Sequence, residues 1–266
     1  MLNFQRAILT HGGAGSDPKD FDGPKSAANR GMDLMAKGET ALVAVVDAVK
    51  YLEDDPRFNA GLGSRLRIDG HTMQLDASCM TSNNEFGAVA CVENIKNPIA
   101  IAQGVLRHSP HILLVGDGAR IFAEEYNIPV TGLSVSGDGG TSGTSCDTVG
   151  AVAFDGTTFA AALSTGGLEK SAMGRVGDVP LPGCGLFCGA SGAVACTGDG
   201  EFIALKLLAK EVYTWLENSM SPDEAAQKAI TLFDPSVDIG LIILTQNGFA
   251  SNARNGMAWS HITENK

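Results

Sequence analysis

Between Ser134 and Asp147 the chain reads Ser-Val-Ser-Gly-Asp-Gly-Gly-Thr-Ser-Gly-Thr-Ser-Cys-Asp, and from Thr148 it turns at once almost wholly apolar. The first stretch is too polar and glycine-rich to offset its ordering entropy by burial, so it is expected as a linker. The apolar stretch contains two strand-like segments, Val149 to Phe154 and Thr158 to Leu163, joined at Asp155-Gly156, a two-residue hairpin signal. A linker that gives way within one residue to a buried hairpin leaves the bond before Thr148 accessible while its downstream side is held rigid.

The 33 glycines fall in clusters at the ends of apolar runs, as in His11-Gly12-Gly13-Ala14-Gly15, Ser164-Thr165-Gly166-Gly167 and Thr197-Gly198-Asp199-Gly200. Such clusters imply strand-to-loop edges with exposed backbone amides. Ala41 to Leu52 carries Leu42, Val45, Val46 and Val49 at helical spacing, whereas Gly87 to Val92 and Ile112 to Val115 read as short buried strands. Phe202, Leu205, Leu208, Ala209, Val212, Trp215 and Leu216 trace one face of a further helix, expected to pack on the core. Ser221-Pro222-Asp223-Glu224 opens another with an N-cap, an N1 proline and early acids. A last strand is expected over Ile239 to Leu244, turning at Asn247-Gly248 before a short segment through Trp259. The second half thus suits helices covering a mostly antiparallel sheet.

A net charge of -11 argues against nucleic acid or an anionic membrane surface as partner, because both repel an acidic protein. No apolar run approaches the roughly 20 residues needed to span a bilayer. Met1 to Arg6 lack the features of a signal peptide, so cytoplasmic residence is expected. The cysteines at 79, 91, 146, 184, 188 and 196 form no CxxC pair and are read mostly as small buried apolar residues.

Thr148 is the candidate nucleophile. A hydroxyl needs a base, and the α-amino group of an N-terminal threonine, with a reference pKa near ~8, supplies one within the same residue. Spacing alone leaves open the alternative of a β-branched residue starting a strand.

Asp147-Thr148-Val149-Gly150-Ala151-Val152-Ala153, Ser164-Thr165-Gly166-Gly167 and Gly174-Arg175-Val176-Gly177-Asp178 together resemble the plant-type asparaginase and isoaspartyl peptidase family of N-terminal-nucleophile hydrolases. The likeness extends to His11-Gly12-Gly13-Ala14-Gly15, Phe58-Asn59-Ala60-Gly61-Leu62-Gly63-Ser64 and Thr197-Gly198-Asp199-Gly200-Glu201, in the expected order over nearly the whole chain. It implies an α+β fold, a four-layer αββα sandwich. Residues 1–147 would form an α subunit and 148–266 a β subunit after self-cleavage between Asp147 and Thr148, with a homodimer of precursors becoming an (αβ)2 assembly. The implied substrates are small molecules, L-asparagine and β-aspartyl dipeptides, cleaved through a Thr148 acyl-enzyme with no catalytic cofactor.

By motif position, Thr165 would assist Thr148 through its hydroxyl, the alternative being a hydroxyl that caps backbone at a strand end. Thr197 and the Gly198 amide match the oxyanion hole, and Asn59 a position that orients the active site or the self-cleavage water. Arg175 would take a substrate α-carboxylate and Asp178 its α-ammonium; without the motif, the pair reads as a surface ion bridge. The resemblance also implies a structural Na+ held by main-chain carbonyls of Leu52, Glu53, Asp55, Phe58, Ala60 and Leu62.

Phe187 and Cys188 stand where relatives show tyrosine and alanine, and Asp199 adds a carboxylate beside the oxyanion-hole glycine, with an expected effect on substrate preference or pH profile. Asp147 itself looks more like glycosylasparaginases, so hydrolysis of glycosylasparagine is the rival chemistry. An uncleaved, non-catalytic relative is the other alternative. The first glycine cluster lacks both GxxxxGK[ST] and GxGxxG spacings, which disfavours a nucleotide loop.

Overall fold

The computed structural model describes residues 3–133 and 148–266. The expected linker, Cys146 and Asp147 lie outside the described residues. The first segment runs β1 (Phe4–Ala14), α1 (Asp22–Ala36), α2 (Ala41–Glu53), β2 (Leu75–Thr81), β3 (Phe86–Val92), α3 (Pro98–His108), β4 (Leu113–Val115) and α4 (Asp117–Glu125). The second runs β5 (Val149–Phe154), β6 (Phe159–Thr165), β7 (Leu186–Gly189), β8 (Gly192–Gly198), α5 (Gly200–Lys206), α6 (Leu208–Glu217), α7 (Pro222–Thr231), β9 (Ile239–Thr245), β10 (Gly248–Ala253) and β11 (Met257–Asn265).

The strands form a seven-stranded sheet in the order β11-β1-β5-β6-β2-β3-β4 and a four-stranded sheet in the order β10-β9-β8-β7. All pairings are antiparallel except β3 with β4. One apolar cluster joins Val149, Ala151 and Ala153 of β5 to α1, α2 and α3. A second joins Val152 and Leu163 to Leu186, Ala195 and Ile242 of the small sheet. A third joins the outer face of that sheet, through Val194, Cys196 and Ile243, to α6 and α7. Two sheets face to face with helices outside both make the four-layer αββα sandwich. β5 is buried on both faces, which is why it reads as a continuous apolar run instead of an alternating one.

Several local expectations change. The β5–β6 connection runs over 155–158, centred on Gly156-Thr157 instead of Asp155-Gly156: the Asp155 amide donates to the Thr158 carbonyl across it, and the Asp155 carboxylate accepts the amides of Thr157 and Thr158. β4 is not buried; Val115 is 54% exposed at the sheet edge. The helix expected over 202–216 breaks at Leu207, whose φ of 48° is left-handed, so Phe202 and Leu205 point to solvent while Leu208 onward enters the core. The segment through Trp259 is the long strand β11, which crosses back to flank β1. By contrast, α7 opens with a complete capping box between Ser221 and Glu224.

The five described cysteines are free and buried. Among the described residues no helix is long and apolar enough to cross a membrane.

Candidate active site

Thr148 immediately precedes β5 and is buried. Its nitrogen donates to Thr197 Oγ1 at 3.4 Å, and the Ala14 amide donates to the same oxygen at 3.0 Å. One hydroxyl of β8 therefore ties together the end of β1 and the start of β5. In the facing register His11 pairs with Gly150, and a side chain at Gly150 would collide with the His11 imidazole. The glycine makes room for the ring, beside Thr148. Burial drives the His11 pKa down to about 3, outweighing the Thr148 backbone that favours its charge, and neither ring nitrogen has a partner of good hydrogen-bond geometry. His11 is thus neutral near pH 7.

Because Val149 pairs with Ser164, Thr165 stands across from Thr148 at the end of β6. Its hydroxyl accepts the Gly167 amide at 3.0 Å, the strand-end capping contact, which leaves its proton to donate elsewhere. Asn59 clamps the same turn: its side-chain nitrogen donates to the Gly167 carbonyl at 2.8 Å and its backbone carbonyl accepts from Gly166. Its Oδ1 accepts the Arg65 amide at 3.0 Å. Asn59 accordingly holds the Gly166-Gly167 turn from behind.

Thr148, Thr165, Gly167, Leu168, Arg175, Asp178 and Gly198 line one narrow cleft. Gly198 has a φ of 131°, and a side chain there would strike the Asp238 carbonyl, so this backbone admits only glycine. The reading of Arg175 and Asp178 as a surface ion pair fails: the Arg175 side chain is 13% exposed and Asp178 is buried. Arg175 is held instead by Glu201, with Nε and Nη2 donating to its two oxygens at 2.9 and 2.8 Å. Burial lowers the Arg175 pKa, but the Glu201 hydrogen bonds and charge outweigh it and the net shift is upward. Burial pushes Asp178 up to about 7 against the pull of Arg175, and its Oδ2 is unpartnered. A buried carboxyl with a free oxygen, beside a guanidinium, is suited to an incoming ammonium.

Sequence reasoning missed two buried charges behind this cleft. Asp76 pairs with Thr165 in the β2–β6 register, accepts the Cys91 amide at 2.9 Å, and is pushed up to about 6 by burial. Its Oδ2 lacks a partner of good geometry, although the Gly177 amide lies near enough to lower its pKa. Arg67, fully buried, donates to Ser171 Oγ and to the Gln74 carbonyl. Gln74 in turn accepts the Gly174 amide at 2.8 Å, so this group braces the loop that carries Arg175 and Asp178. The available signals were an Asp set within the mostly apolar stretch 75–80 and an Arg among the mixed charged and apolar residues 65–69, neither of which marks a buried position. Asp199 is directed away from the cleft, its Oδ2 accepting the Asp238 amide at 2.9 Å.

In the candidate Na+ loop two glycines bring the chain close over main-chain carbonyls. Side chains at Gly61 and Gly63 would collide with the Glu53 and Phe58 carbonyl oxygens, so the two glycines let the chain fold tightly over these acceptors. Asp55, Phe58 and Ala60 each accept one local amide, and a carbonyl has a second lone pair to offer, whereas the Leu52 carbonyl already meets the amides of Asp54 and Asp55. The Glu53 side chain does something else: it accepts the Ile99 amide at the start of α3 and the Asn97 side chain. Among the described residues no group of His, Cys, Asp and Glu side chains is arranged to hold a metal.

A family model described as Asparaginase matches residues 4–136 and 132–266 of this chain. The plant-type L-asparaginase of Pyrococcus horikoshii is 36% identical, the match covering 94% of this chain and 93% of that one. The isoaspartyl peptidase/L-asparaginase of Xenopus laevis is 35% identical over 97% and 93% of the two chains. That of Mus musculus is 34% identical over 100% and 90%.

Proposed function

The chain belongs to the asparaginase family that this model describes, and from that premise we propose that it hydrolyses L-asparagine and β-aspartyl dipeptides with Thr148 as nucleophile. The observation that carries this reading is the one cleft in which Thr148 before β5, Thr165 of β6, Arg175 and Asp178 of the following loop, and Gly198 of β8 meet. The Arg175 guanidinium receives the substrate α-carboxylate and the Asp178 carboxylate its α-ammonium, which fixes the side-chain β-carbonyl at Thr148. The Thr148 hydroxyl attacks that carbonyl while its own α-amine takes the proton. Ammonia or an amino acid departs, and water hydrolyses the resulting β-aspartyl ester.

Thr197 and the Gly198 amide are the donors for the developing oxyanion. Both lone pairs of the Thr197 hydroxyl are engaged by the Ala14 and Thr148 nitrogens, so its proton is free to donate. Thr165 orients the Thr148 hydroxyl from the adjoining strand. For the α-amine to exist, the chain must be cut between Asp147 and Thr148, giving an α chain of 1–147 and a β chain of 148–266 within one sandwich. The same hydroxyl attacks the Asp147 carbonyl; the Asp147–Thr148 amide bond breaks as the acyl group shifts to the hydroxyl oxygen, which frees the α-amine, and water then hydrolyses the ester to release the Thr148 hydroxyl and the Asp147 carboxylate.

A Na+ ion, held by the carbonyls of Leu52, Glu53, Asp55, Phe58, Ala60 and Leu62, would brace the loop that presents Asn59. The working form is a dimer of αβ units. Five free cysteines among the described residues suit a reducing compartment such as the cytoplasm.

The test is release of ammonia from L-asparagine, and of aspartate from a β-aspartyl dipeptide, by purified protein. Activity that survives Thr148→Ala would refute the assignment.

A further inference from the structure

Glu201 closes the motif that begins at Thr197, yet nothing in the mechanism above uses it. Its carboxylate grips one edge of the Arg175 guanidinium, taking the Nε–H and one Nη2–H. The other Nη2–H and both Nη1–H groups remain. Nη1 is directed at Gly167 and Gly177: side chains built on these two glycines would lie 3.3 Å and 2.9 Å from it. Gly167 lines the cleft with Thr148, so the edge opposite Glu201 is the one that faces substrate. Gly200, next to Glu201, also lacks a side chain where one would lie 3.0 Å from Arg175 Nη2 and 2.7 Å from Asp178 Oδ1. Three glycines therefore leave a slot for the guanidinium, and one carboxylate from outside the cleft fixes its rotation in that slot.

We propose that Glu201 is the positioning residue for Arg175: by clamping the Nε/Nη2 edge from the solvent side, it presents the Nη1/Nη2 edge to the α-carboxylate of the substrate. This rests on the reading of Arg175 as the carboxylate receptor. A planar guanidinium binds a carboxylate bidentately only when the edge is correctly aimed, and Arg175 has several rotatable bonds to lose in aiming it. Fixing one edge beforehand removes that cost from substrate binding. The Glu201 charge also opposes the substrate carboxylate. Its side chain, however, is 54% exposed, so solvent screens this repulsion while the geometry of the clamp is kept.

The test is steady-state kinetics on mature wild type, Glu201→Ala and Glu201→Gln with L-asparagine. Glu201→Ala is expected to raise KM about tenfold, the scale of a misaimed charge-assisted pair, with kcat at saturation within about threefold. Glu201→Gln keeps one acceptor and is expected to fall between; it decides the matter if the alanine variant does not fold or mature. An unchanged KM, a lower KM, or a loss confined to kcat would each overturn the clamp, a lower KM meaning that Glu201 competes with substrate instead. Wild type that hydrolyses neither asparagine nor a β-aspartyl dipeptide refutes the proposed function itself, which separates the two failures.

Discussion

The Thr148 nitrogen donates to the Thr197 hydroxyl at 3.4 Å across the interface between the two sheets. Thr148 is therefore fixed by the packing of the sandwich as well as by its own strand. Any slip of β8 against β5 moves Thr197 and Thr148, the proposed oxyanion donor and nucleophile, apart.

Thr197→Val tests that link while preserving shape. It removes the acceptor of the buried Ala14 amide and the proton offered to the oxyanion. A loss of about 100-fold in kcat is expected, with a stability loss of about 1–3 kcal/mol from the orphaned amide. Near-normal kcat in a folded variant would remove Thr197 from the oxyanion hole.

Gly150→Ala forces a methyl group into the His11 imidazole and the Leu163 side chain. Both neighbours are fully buried, so an overpacking cost of about 1–3 kcal/mol is expected, together with slower cleavage before Thr148. Gly118→Ala is the control: nothing lies within 4 Å of the added methyl group, and alanine favours the helix there. Equal melting temperatures for the two variants would contradict the packing argument.

Asp178 gives stability a pH dependence of definite sign. Its pKa is raised from 3.8 to about 7, so between those values the folded chain holds a proton that the unfolded chain has released. The Asp178 contribution to stability consequently falls as pH rises through that window and levels off above about 7. Asp178→Asn should flatten this part of the curve, read as the difference in unfolding free energy between wild type and variant from pH 4 to 8. A difference that does not change with pH contradicts the burial of this carboxyl. Since the proposed mechanism has the ionised form receive the substrate ammonium, KM for asparagine should also fall as pH rises toward 7.

Arg175→Ala separates binding from maturation. The variant should still cleave before Thr148, because that step has no α-carboxylate to bind, but KM should rise by at least about 100-fold. An uncut, normally folded Arg175→Ala protein would refute this division of roles.

Features that depend on neighbours in the chain were legible in the sequence. The strand starting at Val149, α2 and the Ser221 N-cap all follow from spacing within a few residues. Motif order also named Thr148, Thr165, Arg175, Asp178 and Gly198, which do meet. The features that escaped depend on partners far away in the chain. Nothing near Glu201 says that its carboxylate will clamp Arg175 across 26 positions, and nothing near Asp76 says that β6 and Cys91 will bury it. The apolar pattern through Leu207 hid a left-handed break, because helical spacing carries no mark of a single residue leaving the helix.

The central claim is that Thr148 becomes a chain terminus and acts as nucleophile. Intact-mass analysis of purified protein, incubated at neutral pH alongside Thr148→Ala, tests it most directly. Two fragments parting between Asp147 and Thr148 in wild type, and one uncut mass in the variant, are the predicted result; wild type that stays a single uncut chain while hydrolysing asparagine would contradict it.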